Sequence, residues 1–464
     1  MWHGRLARVL ELKGRFRAES RAGRPCHDLA CGATYGVPMS HSENAMSRRE
    51  MMKLAAVGVL ATSTSGWFNT LAASAAQTAA ITGKKAKSCI LLWMNGGPSQ
   101  SHTFDLKPDS EYKAISTSVP GIQISEYLPR LARQMQHCAL LRSMSTGEAV
   151  HPRARFLMHN GYRMSGGQSF PAMGCIASAE LGREGFELPN FVAIDGGVDG
   201  NNAGKFFRSV PAYLGPKHAP LIVNDPSKGI ENLRPAVAGG AFNDRFELLE
   251  SAEKKFEQKY DSAAALAHET AYQQALRLMR SEKAKAFEIE RESEIVRHNY
   301  GDSQFGRGCL LARRLVEAGV PFVEVTLGGW DDHGGAGKKV KGRSEYLDMA
   351  MSALLADLHA KGLLESTLVI WMGEFGRNPG SGSQHFAKAW TSLLAGAGLK
   401  TGQVIGKTDK SGREVADRPI TAPDFMATVY TALGIDIKKE YTTAGGRPIR
   451  VVDKGGRAVG ELFS

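Results

Sequence analysis

Short apolar runs that each stop at a glycine or a polar residue constrain the fold of this chain more than any other feature. The first run, Lys87 to Met94, ends at Asn95-Gly96-Gly97. Four further runs end in a similar way: Cys138 to Leu141, Asn190 to Ile194, Val320 to Leu327 and Thr367 to Met372. Uninterrupted apolar runs of this length are typical of strands buried on both faces of a parallel sheet.

Helical patterns separate these runs. Apolar residues between 347 and 358 recur at the spacing of one helix face, and Leu310 to Val316 supply another face just before the fourth run. This order favours an α/β protein, specifically a three-layer α/β/α sandwich with a mostly parallel sheet. Residues 244–297 are rich in Ala, Glu, Lys, Arg and Leu, and they are predicted to form a helical insertion.

The first 76 residues resemble a targeting segment rather than part of a fold. Arg48-Arg49 precede a weakly apolar stretch from Leu54 to Leu60 and small residues that end at Ala76. That order is typical of a twin-arginine signal peptide, here over residues 46–76. Residues 1–45 are then an upstream extension or the product of a mistaken start, and the folded domain is predicted over 77–464.

A twin-arginine signal has consequences for partners and location. The chain is expected to meet the twin-arginine translocase during export and to be periplasmic or secreted. Because such substrates typically cross the membrane already folded, a metal can be loaded before export. No later segment approaches the ~20 apolar residues that a bilayer requires, so we predict no transmembrane anchor in the mature chain.

The formal net charge of +11 would suit a nucleic-acid-binding protein. However, the first 76 residues hold ten Lys and Arg against five Asp and Glu, and the rest of the chain has no long basic run. We therefore expect no nucleic-acid partner. The six cysteines lack C-x-x-C spacing, which favours core thiols over zinc ligands or disulfides.

Residues that can bind metal follow the last two apolar runs. Asp331 and His333 follow the fourth run, and Glu374 and His385 follow the fifth. Because the carboxyl ends of parallel strands share one edge, we predict that these four side chains hold a divalent metal ion, zinc or manganese rather than calcium. Three of them have a structural alternative: a turn cap for Asp331, a salt bridge to Arg377 for Glu374, and a hydrogen-bonded core position for His385.

Several motifs resemble the domain-of-unknown-function family 1501, from about residue 87 to residue 462. They are GGPS and TFD (96–105), HPRARFLMHNGY (151–162), ARRLVEAGVPFVEV (312–325), GWDDH (329–333) and GEFGR (373–377). That family is similar to the alkaline phosphatase and sulfatase superfamily. The resemblance therefore implies an alkaline phosphatase-like core and metal-dependent hydrolysis of an anionic ester, either a phosphate or a sulfate.

The resemblance also implies catalytic residues. The sulfatase signature C/S-x-P-S-R resembles His151-Pro152-Arg153-Ala154-Arg155, which keeps Arg155 and puts His151 at the nucleophile position. An imidazole there can attack through nitrogen, act as a base for water, or bind metal. His151 and Arg155 are the predicted catalytic residues, and their structural alternative is helix capping and surface charge.

Three residues, Asn95, Arg153 and His159, are predicted to bind the substrate. Asn95 stands where the superfamily carries an aspartate, and Phe375 stands where a His or Asn is usual. These departures leave two functions open. One is an exported metal-dependent hydrolase of sulfate or phosphate esters, and the other is a secreted, non-catalytic binding protein on a degenerate hydrolase scaffold.

Overall fold

The structure, a computed structural model, describes residues 86–463 apart from 109, 184, 198–209, 231–232, 234–243, 246, 250, 253–262 and 335. The predicted signal peptide at 46–76 and the segment before it lie outside the described residues. The boundaries at 45 and 76 therefore stay predictions.

An eight-stranded sheet forms the centre of the described part. Its strands are β1 Ser88–Met94, β2 Cys138–Met144, β3 Phe191–Asp195, β4 Leu221–Val223, β5 Phe322–Leu327, β6 Thr367–Met372, β7 Trp390–Gly396 and β8 Gln403–Ile405. They lie in the order β8-β2-β7-β6-β1-β5-β3-β4. Only β7 is antiparallel to its neighbours, so the sheet is mostly parallel.

Helices cover both faces of this sheet. They are α1 Pro129–Ala132, α2 His151–Asn160, α3 Met173–Leu181, α4 Ala263–Arg280, α5 Glu294–Tyr300, α6 Gln304–Glu317, α7 Ala336–Ala360 and α8 Ala422–Ala432. Apolar residues at even-numbered positions of β1 belong to the core with α6 and α7, whereas those at odd-numbered positions belong to the core with α2, α3 and α8. The predicted three-layer α/β/α sandwich is confirmed.

Short two-stranded hairpins supplement the central sheet. Their paired strands are Ala114–Ser116 with Gln123–Ser125, Gly376–Arg377 with His385–Phe386, Lys407–Thr408 with Val415–Asp417, and Glu440–Thr442 with Pro448–Arg450. The second of these carries two residues of interest, because it pairs Arg377 with His385.

All five apolar runs form strands of the central sheet. The sequence did not mark β7, because Thr391 and Ser392 interrupt its apolar residues and Gly396 ends it. The hydroxyl of Ser392 is nevertheless buried without penalty, since it donates a 2.9 Å hydrogen bond to the carbonyl oxygen of Trp371.

The segment predicted as a helical insertion contains α4 and the start of α5, and α5 packs against α6 and α7. Because residues 253–262 lie outside the described part, the extent of the insertion stays a prediction. Cys89, Cys138, Cys175 and Cys309 are buried and form no disulfide within the described residues, as the spacing predicts. Among the described residues, no helix is both long and apolar enough to span a bilayer.

Candidate metal-binding site

The loops that follow β1, β5 and β6 meet at the carboxyl edge of the sheet. The loop after β1 approaches the loop after β5 so closely that a Cβ on Gly96 would lie 2.2 Å from the backbone nitrogen of Asp331. Gly96 also has a φ of +116°, a conformation that L side chains rarely adopt. Glycine at this position therefore lets the two loops pack together.

The cluster converges on one oxygen atom, Oδ1 of Asp331. The Nε2 atoms of three histidines face it, at 3.0 Å for His333, 3.1 Å for His151 and 3.3 Å for His385. His385 reaches this point from the hairpin strand that pairs with Arg377. The structure thus brings together three of the four residues predicted to bind metal, and His151 joins them from the first turn of α2.

Hydrogen bonds at Nδ1, the ring nitrogen remote from Asp331, determine which nitrogen carries the proton in two of the imidazoles. Nδ1 of His151 lies 2.7 Å from Oε1 of Glu374, and Nδ1 of His385 lies 2.8 Å from the carbonyl oxygen of Ala149. Because both partners are acceptors, Nδ1 is the donor in each ring. Nε2, the nitrogen left to bind a metal when the imidazole is neutral, is then the one that faces Asp331.

Glu374 is fully buried beneath His151, and its carboxylate accepts several hydrogen bonds. It accepts bonds from the backbone nitrogen of Gly96 at 3.1 and 3.2 Å and from Nε of Arg155 at 3.2 Å. Burial raises the pKa of Glu374, but the hydrogen bond from His151 and the charge of Arg155 outweigh it and hold the pKa below its ordinary value. The structure places Glu374 as the partner of His151 rather than beside the Asp331 oxygen.

Arg377 holds Asp331 in its charged form. Its guanidinium is almost fully buried, donates to the carbonyl oxygens of Gly96 and Gly97, and lies 2.7 Å from Oδ1 of Asp331. Burial raises the pKa of Asp331, but the Arg377 bond and the charge of His151 hold it well below its usual range. The alternative pairing of Glu374 with Arg377 is therefore wrong, because Arg155 occupies the Glu374 carboxylate.

Phe375 packs against the histidines. Its ring stacks on His385 at 4.6 Å between centroids and lies 4.9 Å from His151. Burial lowers the pKa of His385 and outweighs the hydrogen bonds to the Ala149 carbonyl and Asp331, which raise it. Phe375 thus keeps water from one side of two imidazoles and favours the neutral form of His385, which a metal requires.

Three predicted residues lie away from the Asp331 oxygen. His159 is buried on α2, with Nε2 3.3 Å from Glu324 and Nδ1 3.0 Å from the Arg155 carbonyl oxygen. Arg153 is half exposed and pairs with Glu148 at 3.0 Å. Asn95 is partly buried, and its Oδ1 lies 3.5 Å from Nε1 of Trp93.

Arg343 is a neighbour that the sequence patterns did not single out. Its guanidinium packs on the loop after β5, where a Cβ on Gly329 would lie 2.2 Å from its Nε. That Nε atom is buried and has no hydrogen-bond partner among the described residues. Arg343 follows Asp331 by twelve positions on the neighbouring helix α7, so only the helix packing reveals that it lies beside the GWDDH loop.

The donor set fits a divalent ion. Side-chain ligand atoms of His151, Asp331 and His385 all lie within 4.8 Å of one another, and His333 adds a fourth donor next to the same oxygen. Neutral imidazoles and one carboxylate suit zinc or manganese, whereas calcium prefers oxygen alone. Nε2 of His151 is buried and lies 3.1 Å from Oδ1 of Asp331, so both atoms could bind one ion.

The fold and this site define an α/β/α-sandwich protein with a carboxylate–imidazole cluster at the carboxyl edge of a mostly parallel sheet. The chain belongs to the family described as protein of unknown function (DUF1501), whose model matches residues 86–463. The family resemblance predicted from the motifs is thereby confirmed. A comparison with curated proteins gives no match.

Several solved structures are similar to this chain. Lipoteichoic acid synthase LtaP from Listeria monocytogenes is 9% identical, with 76% of this chain and 73% of that chain covered and a TM-score of 0.37. The PsFucS1 sulfatase from Pseudoalteromonas sp. is 12% identical over 78% and 72%, with a TM-score of 0.37. An alkaline phosphatase superfamily protein from Vibrio parahaemolyticus is 14% identical over 76% and 67%, with a TM-score of 0.32.

Proposed function

We propose that this chain is an exported, metal-dependent hydrolase of phosphate or sulfate esters. The observation that carries the proposal is the convergence of three imidazole Nε2 atoms on one Asp331 oxygen, at 3.0 to 3.3 Å. Imidazoles packed this closely around a carboxylate, with two of them fixed from behind through Nδ1, form a typical transition-metal donor set.

In this proposal His151, Asp331, His333 and His385 hold the ion, which when bound would acidify a water and polarise an ester oxygen. Glu374 keeps the proton on Nδ1 of His151, so that Nε2 faces the site. The Ala149 carbonyl does the same for His385. His151 is then a ligand rather than the nucleophile, because both of its nitrogens are directed at carboxylates.

Two arginines supply recognition of the anionic ester. Nη1 of Arg155 is buried without a partner among the described residues, while its Nε is committed to Glu374. Nε of Arg343 is likewise unpartnered beside the GWDDH loop. A guanidinium with free donors binds the oxygens of a phosphate or sulfate through parallel hydrogen bonds.

Export by the twin-arginine translocase, to the periplasm or outside the cell, is part of the same proposal. It rests on Arg48-Arg49 and on the residues that follow them up to Ala76. A metal centre built from loops distant in sequence requires a folded chain, which is compatible with export of the folded protein.

A second candidate is the secreted, non-catalytic binding protein. The Arg377 guanidinium lies 2.7 Å from the Asp331 oxygen and neutralises it, which lets the cluster exist as a metal-free structural network. Asn95, which follows β1, stands where the superfamily resemblance implies an aspartate, so the same edge of the sheet carries one negative charge fewer. A binding protein would retain the anion-binding arginines without the ion.

Metal analysis of the purified mature protein separates the two functions. We expect close to one equivalent of zinc or manganese, loss of most of it in Asp331→Asn, and no loss in the matched control Asp436→Asn, which is exposed outside the cluster. Turnover of aryl phosphate and aryl sulfate esters should disappear with the metal. A metal-free wild-type protein with an intact fold, or full metal retention in Asp331→Asn, would favour the binding protein.

A further inference from the structure

A second cavity opens at the same edge of the sheet as the histidine cluster. Strand β2 runs parallel to β6, since both are antiparallel to β7, and Met144 at the end of β2 forms a parallel bridge to Ile420, just before α8. The cavity, of about 930 Å³, lies between the loop after β2, the end of α2, the start of α8 and the hairpin that ends at Arg450.

Basic side chains outnumber acidic ones in the walls of this cavity. Four basic residues, Arg163, Arg447, Arg450 and Lys454, line it together with the carboxylates of Glu440 and Asp453. One carboxylate, that of Glu440, is committed to Arg450 at 3.2 Å. Arg163, Arg447 and Lys454 form no salt bridge within the part of the chain that the structure describes. The cavity therefore carries uncompensated positive charge, which favours an anion.

A buried hydroxyl adds a directional donor. Thr146 is 7% exposed, and its Oγ1 atom has no hydrogen-bond partner among the described residues. Its carbonyl oxygen accepts a 3.3 Å bond from Arg163, which fixes that arginine over the loop. A buried hydroxyl without a hydrogen-bond partner lowers stability. Because Thr146 lines the cavity beside the Arg163 guanidinium, its hydroxyl indicates a ligand that would supply the missing hydrogen bond.

The wall of the cavity near Arg163 is rigid. The ring of Tyr162 stacks on Phe170 at 4.2 Å between centroids, and its hydroxyl donates a 2.8 Å bond to the carbonyl oxygen of Arg450. This pair ties the end of α2 to the hairpin that carries Arg447 and Arg450. The basic side chains are thereby presented from two elements held at a fixed separation.

We infer that this cavity is a second anion-binding site, separate from the histidine cluster, which takes an oxyanion group such as phosphate or sulfate. Arg163, Arg447 and Lys454 supply charge and hydrogen bonds, and the Thr146 hydroxyl supplies one further donor. The inference does not rest on the proposed hydrolase function. The oxyanion comes either from free inorganic phosphate or from a sulfated oligosaccharide, and the two sources are separable by experiment.

Calorimetric titration with inorganic phosphate and with a sulfated hexasaccharide tests this site. In the double variant Arg447→Gln/Lys454→Gln, we expect binding at least about tenfold weaker, from the loss of two charge-assisted contacts. The matched control Lys410→Gln/Arg413→Gln removes two exposed charges on a different loop and should bind as the wild type does. The same comparison is made in the Asp331→Asn background, where the loss caused by the double variant should persist, because this cavity does not involve the histidine cluster.

Thr146→Val provides a second readout. Because the hydroxyl has no partner among the described residues, the substitution should leave the free energy of unfolding unchanged or raise it while it weakens anion binding. If phosphate binds as tightly as the hexasaccharide, the ligand of this cavity is a small anion. If only the hexasaccharide binds, the ligand is a polyanion. Failure of both probes to bind the wild type, or equal binding with and without the double substitution in the Asp331→Asn background, overturns the inference.

Discussion

Nδ1 of His151 lies 2.7 Å from Oε1 of Glu374, a carboxylate with no exposed surface. The pair resembles the carboxylate–histidine arrangement that orients metal-binding imidazoles in many sites. Glu374→Gln replaces an acceptor of charge −1 by a neutral amide, so we expect metal affinity to fall about 10- to 100-fold. Competition with a chelator of known affinity measures this change.

The control for Glu374→Gln is a neighbouring carboxylate outside the cluster. Glu148→Gln removes the partner of the half-exposed Arg153 and should leave metal affinity unchanged. Circular dichroism and thermal unfolding of both variants show whether the fold persists. Wild-type affinity in folded Glu374→Gln would mean that His151 is not a ligand.

Substitution of Arg155 tests recognition of the anionic ester. Arg155→Lys retains a positive charge beside Glu374 but removes the planar guanidinium, which can donate two parallel hydrogen bonds to an anion. We therefore expect KM for an aryl phosphate or sulfate to rise about tenfold with a smaller change in kcat. Arg153→Lys is the matched control, because Arg153 is half exposed and pairs with Glu148. A fall in kcat at constant KM would instead assign Arg155 a role in the chemical step.

The pair of His159 and Glu324 predicts how stability changes with pH. Burial lowers the pKa of His159, but the charge and hydrogen bond of Glu324 outweigh it and raise the pKa above the ordinary 6.5. The folded state therefore binds the proton more tightly than the unfolded state. The resulting stabilisation is fully present below pH 6.5 and is lost as the pH rises through the raised value.

Urea unfolding of the wild type and of His159→Gln at several pH values checks this sign. The excess stability of the wild type should be constant at low pH and decline as the pH rises above about 6.5. His298→Gln, at an exposed position on α5, is the matched control for the loss of an imidazole. An excess that grows with pH would mean that His159 is neutral in the folded protein.

Replacement of Arg48-Arg49 by two lysines tests the targeting segment. Because the translocase recognises the arginine pair itself and not its charge, we expect the precursor to accumulate in the cytoplasm. Fractionation followed by N-terminal sequencing is the measurement, and the exported protein should begin near Ala76 or Gln77. Unchanged export of the lysine variant would contradict the twin-arginine assignment.

Much of the fold was predictable because burial leaves a local pattern. A strand covered on both faces needs consecutive apolar residues, and the five such runs all became strands of the central sheet. The positions of Asp331, His333 and His385 near one edge followed from the parallel order of those strands. β7 was missed because Thr391 and Ser392 break its apolar run, and only its pairing with β2 and β6 makes it a strand.

The sequence by itself determined the class of fold and the chemistry available at the strand ends, since both depend on residue types at neighbouring positions. Tertiary structure alone decided the roles. His151, Arg155 and His159 recur at every fourth position of α2, but at about 1.5 Å of rise per residue the first and last lie about 12 Å apart. One therefore meets Asp331 and the other Glu324. Which carboxylate each arginine or histidine neutralises depends on loops hundreds of residues apart, and no local pattern encodes that pairing.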